Sequence, residues 1–163
     1  MTKSLPAQAT DAFCQACSVA PTFPRHEAEL DEVTRARARH VISEIERTTQ
    51  ATTAMREILL GQLMDESHVS LRDDVDVSSE APDTIVDCAR ATDGCLGARM
   101  SGAGVGGCAV ALVDGEKAQK FCAKVEATYR TRSGHEPQHS AYVCAATDGA
   151  CVVVEDEGDD TLE

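Results

Sequence analysis

Apolar residues along this chain recur with three different spacings, and each spacing predicts a different element. From residue 31 to 56, Ala38, Val41, Ile42, Ile45, Thr49 and Thr52 return at three- and four-residue steps, while Arg37, Glu44, Glu46 and Arg47 occupy other faces. That is the period of a long amphipathic helix. A second helix is expected from about Met55 to Leu71. Leu59 and Leu63 begin its stripe, and Ser67 and Ser70 continue it with small polar groups, so its second half should face something polar or tight. Asp73, Asp74 and Asp76 predict a loop. Ser78 or Ser79 can cap a third helix, with Glu80, Pro82 and Asp83 in its first turn and Ile85, Val86 and Ala89 on its apolar face.

After Gly94 the pattern shortens. Cys95–Met100 reads as a strand, and Cys108–Val113, almost wholly apolar, as a buried one. Asp114-Gly115 is a turn, and Glu116–Arg132 an amphipathic helix with Phe121, Val125 and Tyr129 four apart. Ala141–Ala146 and Cys151–Val154 read as two more strands, joined by the hairpin signal Asp148-Gly149. Residues 1–30, broken by Pro6, Pro21 and Pro24, form an irregular lead-in. The order predicts an α+β domain over residues 31–154, a two-layer arrangement of an antiparallel sheet with helices on one face.

Composition narrows the function. Aromatic residues make up only 3% of the chain, so the core must be aliphatic. The formal net charge is −13, with six of the last nine residues acidic. Residues 155–163 therefore read as an acidic, solvated tail. The rest is acidic too, which argues against a nucleic-acid partner. No stretch has the length of a membrane span, and no apolar leader is recognised, so a cytoplasmic protein with reduced thiols is expected. Cys108, Cys122, Cys144 and Cys151 lie in apolar runs and read as core residues. Cys14-x-x-Cys17 and His135-x-x-x-His139 could be halves of a zinc site, but their separation is far from finger spacing, and no metal site is assigned. The pair Asp73 and Asp74 reads as loop and cap groups rather than magnesium ligands.

The segment Gly97-Ala-Arg-Met-Ser-Gly-Ala-Gly-Val-Gly-Gly-Cys108 has four glycines between Gly102 and Gly107. It contains the spacing of a dinucleotide fingerprint, Gly102-x-Gly104-x-x-Gly107. That fingerprint must open a helix, whereas here a strand-like run follows. The loop should therefore join two adjacent strands. Its exposed main-chain N–H groups suit an anion; a purely structural hairpin is the plainer reading.

The same segment resembles the third signature motif of the galacto-, homoserine, mevalonate and phosphomevalonate (GHMP) kinases. Arg37-Ala-Arg-His-Val-Ile-Ser-Glu-Ile-Glu-Arg-Thr48 and Leu63-Met-Asp-Glu-Ser-His-Val-Ser-Leu-Arg-Asp-Asp74 resemble galactokinase blocks, in the family's order. The sequence departs from the family pattern at Asp65, at Val105 and after Ser78. The resemblance implies a ferredoxin-like C-terminal kinase domain in an enzyme that uses ATP and magnesium to phosphorylate galactose at its C1 hydroxyl. It implies that Ser101, Gly102, Ala103, Gly104, Gly106 and Gly107 lie beside a phosphate loop carried by an N-terminal lobe, with Ser67 and His68 facing the same cleft. Taken as a single residue, His68 reads more readily as a hydrogen-bonded helix histidine. Arg39 and His40 are expected to hold their helix against that lobe. The lobe's galactose-binding block, phosphate loop, magnesium carboxylate and catalytic Asp have no counterpart in these residues. No catalytic residue is assigned, and no ATP or magnesium is expected on this chain alone. The expected partner is the lobe, in cis or in trans, and self-association through the exposed lobe interface is expected as well. The competing function is a non-enzymatic module that binds a ligand or partner with the same fold.

Overall fold

The computed structural model describes residues 23–53, 57–103, 108–135 and 141–145. A short helix α1 (Phe23–His26) and a 3-10 turn (Glu27–Glu29) lead to α2 (Glu32–Thr53). Asp31 starts α2 as its cap, its carboxylate accepting from Thr34 N–H at 3.0 Å. Helix α3 (Glu57–Ser70) follows. It does not give way to the expected aspartate loop. The backbone continues through one wider π turn, Leu71–Val75, and stops at Asp76 in the left-handed conformation, φ 59°. Asp tolerates that conformation better than most residues, which is why an aspartate cluster can end a helix as well as form a loop.

Helix α4 (Glu80–Arg90) has Ser79 at its cap position, but neither serine bonds the free N–H groups as a cap. Ser78 instead gives its hydroxyl proton to the Asp83 carboxylate. Strands β1 (Cys95–Ser101) and β2 (Cys108–Val113) pair antiparallel, with Ala98 opposite Ala111 and Ser101 opposite Cys108. A 3-10 turn (Gly115–Lys117), capped by Asp114, leads into α5 (Ala118–Ser133). Gly134, with φ +69°, closes α5 by donating to Arg130 C=O.

The core lies between the hairpin and two helices. Val86, Cys88 and Ala89 of α4, Ala98 of β1, and Phe121 and Val125 of α5 are buried together. Ala109, Ala111, Val113 and Tyr129 pack around them. The spacing of Phe121, Val125 and Tyr129, four apart, is thus the seam of α5. Among the described residues the domain is α+β, a two-stranded antiparallel sheet with helices.

Two sequence expectations change. Strand β2 is not buried on both faces: Ala109 and Ala111 meet the helices, while Val110 is 51% exposed and Cys108 is exposed. A continuous apolar run does not itself say how many faces are covered. Second, Cys108 and Cys144 are not core residues, whereas Cys88 is fully buried. Tyr142 and Cys144 are exposed, and Ala141 N–H donates to the Glu126 carboxylate at 2.9 Å. Among the described residues, 141–145 pair with no strand, and the partner expected for them, Cys151–Val154, lies outside those residues. The expectations for residues 1–22, 146–150, the strand at Cys151–Val154 and the acidic tail lie outside the described residues.

Candidate functional site

The glycine motif sits where the hairpin needs it. Strand β1 ends at Ser101, β2 begins at Cys108, and the two are hydrogen-bonded neighbours. The motif therefore joins strand to strand, and the dinucleotide reading is excluded. Gly102 has φ +87°, in the region that favours glycine, and among the described residues, its chain neighbours aside, no atom lies within 4 Å of where its Cβ would be. Ser101, Gly102 and Ala103 are exposed at the hairpin tip. Gly104, Gly106 and Gly107 lie outside the described residues.

What fixes the position of β1 is helix α3, which runs along the strand edge away from β2. Asp65 Oδ1 accepts from Ala98 N–H at 2.8 Å. One turn later, His68 Nδ1 accepts from Met100 N–H at 3.3 Å. Two outward N–H groups of the edge strand are thus satisfied by two side chains of one helix face, and an unpaired edge is avoided. Arg90, at the end of α4, completes the arrangement. It donates to the Asp65 carboxylate at 2.7 Å, to Asp65 C=O at 2.9 Å and to Ala98 C=O at 3.0 Å. The helix comes this close because both backbones meet at glycine. A Cβ on Gly61 would stand 1.9 Å from Leu96 O, and one on Gly97 would stand 2.0 Å from Gly61 O.

Ser67 and His68 are both buried. Ser67 is 3% exposed and donates to Glu44 Oε2 at 2.9 Å. Burial alone would raise the Glu44 carboxyl, but hydrogen bonds from Arg47 and Ser67 outweigh it and hold the group below its usual range. His68 is fully buried. Its Nε2 is 3.5 Å from Asp83 Oδ1 and has no hydrogen-bond partner among the described residues. Burial pushes its imidazole pKa down, Arg90 adds to that, and Asp83 opposes it. The contacts of His68 are those of a helix histidine bonded to the sheet.

A polar seam joins α2 to α3, in keeping with the serines in the α3 stripe. Arg39 donates to Glu27 at 2.8 Å and Asp74 at 3.2 Å. His40 Nδ1 lies 3.0 Å from Ser70 Oγ, which donates to Asp74 Oδ2 at 2.8 Å. Arg39 and His40 thus tie α2 to groups of this same chain. The Ser70, His40 and Asp74 cluster is not a nucleophilic triad. Asp74 binds the serine rather than orienting the histidine, and the serine proton is already committed to the carboxylate. An open groove of about 430 Å³ lies over the seam, lined in part by Arg47, Asp65, Glu66 and Val69.

The described residues do not by themselves fit ATP or magnesium. Arg99, the cation adjoining the hairpin tip, is tied back to Met100 C=O at 3.1 Å and faces Glu44 at 3.9 Å. Asp73 and Asp74 are engaged by Arg72 and Arg39. Among the described residues no group of three or more metal-ligating side chains converges. Of the candidate zinc ligands only His135 lies among them. No helix there is long and apolar enough to cross a membrane.

Sequence reasoning misses Gly61, Gly97 and Arg90. A glycine inside a strong helical pattern is the available signal for Gly61, since it costs helix stability unless something comes close. Nothing marks Arg90, because its partners are distant in the chain.

Comparison with known proteins agrees with this geometry. Residues 50–131, half of the chain, match the family model described as GHMP kinases C terminal. A galactokinase of Exiguobacterium sibiricum is 47% identical over 123 residues, covering 74% of this chain and 31% of that protein. A galactokinase of Roseiflexus sp. is 42% identical over 127 residues, 76% of this chain and 32% of that protein. The solved Lactococcus lactis galactokinase in complex with galactose superposes with a TM-score of 0.61 at 30% identity, covering 83% of this chain and 41% of that one. The chain thus spans about a third of the length of the curated relatives it matches. With the matched model, the aligned blocks and the shared fold in agreement, this chain belongs to the GHMP kinase C-terminal family, and the relatives named above are galactokinases.

Proposed function

We propose that this chain supplies the C-terminal part of a galactokinase-type sugar kinase, which transfers the γ-phosphoryl of ATP to the C1 hydroxyl of galactose. One observation carries the reading: the 47% identity to a galactokinase, running through 123 residues. ATP and magnesium belong to the complete enzyme, where they supply the phosphoryl group and neutralise its charge. No step of the transfer is assigned to residues of this chain. Their part is shape. The exposed hairpin tip at Ser101, Gly102 and Ala103 carries only small side chains, to sit beside an N-terminal lobe that carries the phosphate loop. Catalysis needs that lobe, in the same chain or as a partner, in a cytoplasmic setting.

The 163 residues alone should therefore show no galactose-dependent ATP turnover. Loss of a single transition-state donor typically costs ~10²–10³-fold in rate, and the lobe supplies the whole set. The test is a chimera in which the corresponding C-terminal part of the Lactococcus lactis galactokinase is replaced by this chain. Galactose-dependent turnover is the expected result. A folded chimera that binds galactose and ATP yet forms no galactose 1-phosphate would overturn the reading.

A further inference from the structure

Every group in the strand-edge contact has a second partner except one. Asp65 is paired by Arg90, but the Nε2 atom of His68, fully buried, is left without a hydrogen bond among the described residues. The contact from Met100 also defines the tautomer. A backbone N–H can donate only to a bare ring nitrogen, so Nδ1 carries no proton and the single ring proton sits on Nε2. Met100 is one residue before Ser101, the last residue of β1, and two before Gly102, where the backbone turns. The position of the motif's first residues thus depends on an imidazole that must stay neutral.

We propose that His68 is a positioning residue whose neutral imidazole holds the end of β1 in place, and that protonating it releases the strand end carrying Ser101 and Gly102. A second proton would occupy Nδ1 and set two N–H groups against each other at the Met100 contact. The charges around the ring decide how readily that happens. Asp83 and Asp87 of α4 favour the charged ring, whereas Arg90 of α4 and Arg72 of the π turn oppose it. Arg99, beside Met100 on β1, faces Glu44 instead. Burial is the largest influence and acts with the arginines, so the ring is neutral at neutral pH and charges only below its ordinary range. The neighbouring contact provides an internal control, because Ala98 N–H is held by a carboxylate and not by the ring.

The hydrogen-exchange part of the test needs no enzymatic activity, and only the catalytic consequence rests on the proposed kinase role. Protection factors of the Ala98 and Met100 amides would be followed by NMR on the full chain from about pH 8 to about pH 5, for wild type and His68→Asn, a range that spans the ordinary titration of histidine. Asn keeps an acceptor near the Nδ1 position and cannot titrate. In the wild type, Met100 protection should fall by up to about tenfold for each pH unit between the ordinary histidine pKa of the released ring and the lower pKa of the held one, and level off below that, while Ala98 and the buried amide of Val86 stay protected. In His68→Asn the Met100 protection should not depend on pH. Met100 protection that is flat in the wild type would overturn the proposal, as would a fall shared equally by Val86, which reports global unfolding. In a reconstituted enzyme, galactose 1-phosphate formation should follow the same pH profile and lose its acid limb in His68→Asn. Turnover absent at every pH would count against the kinase reading and leave the exchange result to decide the strand-end role. Turnover indifferent to a measured release of Met100 would overturn the positioning role.

Discussion

The molecule has two interiors built on different chemistry. Between the hairpin, α4 and α5 the contacts are apolar, with Val86, Cys88 and Ala98 fully buried. Between α2 and α3 they are polar, with Ser67 and Ser70 buried and α2 contributing no buried residue. The apolar interior stabilises the fold, because its free energy grows with the area removed from water. The polar one orients, because each hydrogen bond made inside replaces one made to water and leaves a modest net gain. The strand edge at Asp65 and His68 is where the two meet. There a polar helix face determines where an apolar hairpin ends.

This comparison can be broken most sharply in the core. Phe121→Ala should cost about 3–5 kcal/mol, the usual range for an aromatic removed from a packed site, read as a shift in urea midpoint with unchanged slope. A loss under about 1 kcal/mol would mean that α5 is not part of the stabilising interior.

Gly61→Ala comes next, at about 3 kcal/mol, the upper end for overpacking. The added Cβ would meet backbone at Leu96 rather than a side chain that could turn away. On an ordinary helix the same change stabilises, so a raised melting temperature would show that the helix does not approach the strand this closely.

Asp65→Ala should cost about 2 kcal/mol, since Ala98 N–H and Arg90 both lose their acceptor. Asp65→Asn keeps an acceptor for the N–H and should cost less than half as much. Equal losses would place the effect in the charge and not in the strand edge.

The smallest effect belongs to the seam. Arg39 is half exposed, and Arg39→Ala should change stability by less than about 1 kcal/mol, less still in high salt. A larger, salt-independent loss would make the seam a stabilising interior and erase the contrast.

Legibility from sequence divides along the same line. The apolar interior is readable, because helix and strand periods place Ile85, Val86, Ala89, Phe121 and Val125 on definite faces by spacing alone. The stripe of Leu63, Ser67 and Ser70 also announces a polar or tight neighbour correctly. The partners in that polar interior are not readable. Arg90 reaches Asp65 across 25 residues and His68 reaches Met100 across 32, and a hydrogen bond between such distant residues leaves no period in the sequence. For the same reason the sequence does not announce that Glu27, Asp74 and Ser70 of this chain engage Arg39 and His40. The aspartate run suggests a loop because Asp favours both turns and the left-handed end of a helix, and only the backbone distinguishes them. The glycine motif is legible as a strand-to-strand connection because the apolar run after it excludes a helix.

The central claim is that this domain completes a sugar kinase through its hairpin tip. It is tested most directly by mixing the chain with an N-terminal galactokinase lobe and following galactose 1-phosphate. Within one chain the two parts face each other at an effective concentration of about a millimolar or more, so activity from separate parts should rise with the amount of this chain added. Gly102→Val should abolish that rise while leaving the core intact. A β-branched residue is strained at φ +87°, and Gly102 is exposed at the hairpin tip, away from the buried core. Galactose 1-phosphate that increases with wild-type chain and not with Gly102→Val is the result this account predicts. Equal activity with both variants, or binding by calorimetry with no product at any concentration, would contradict it.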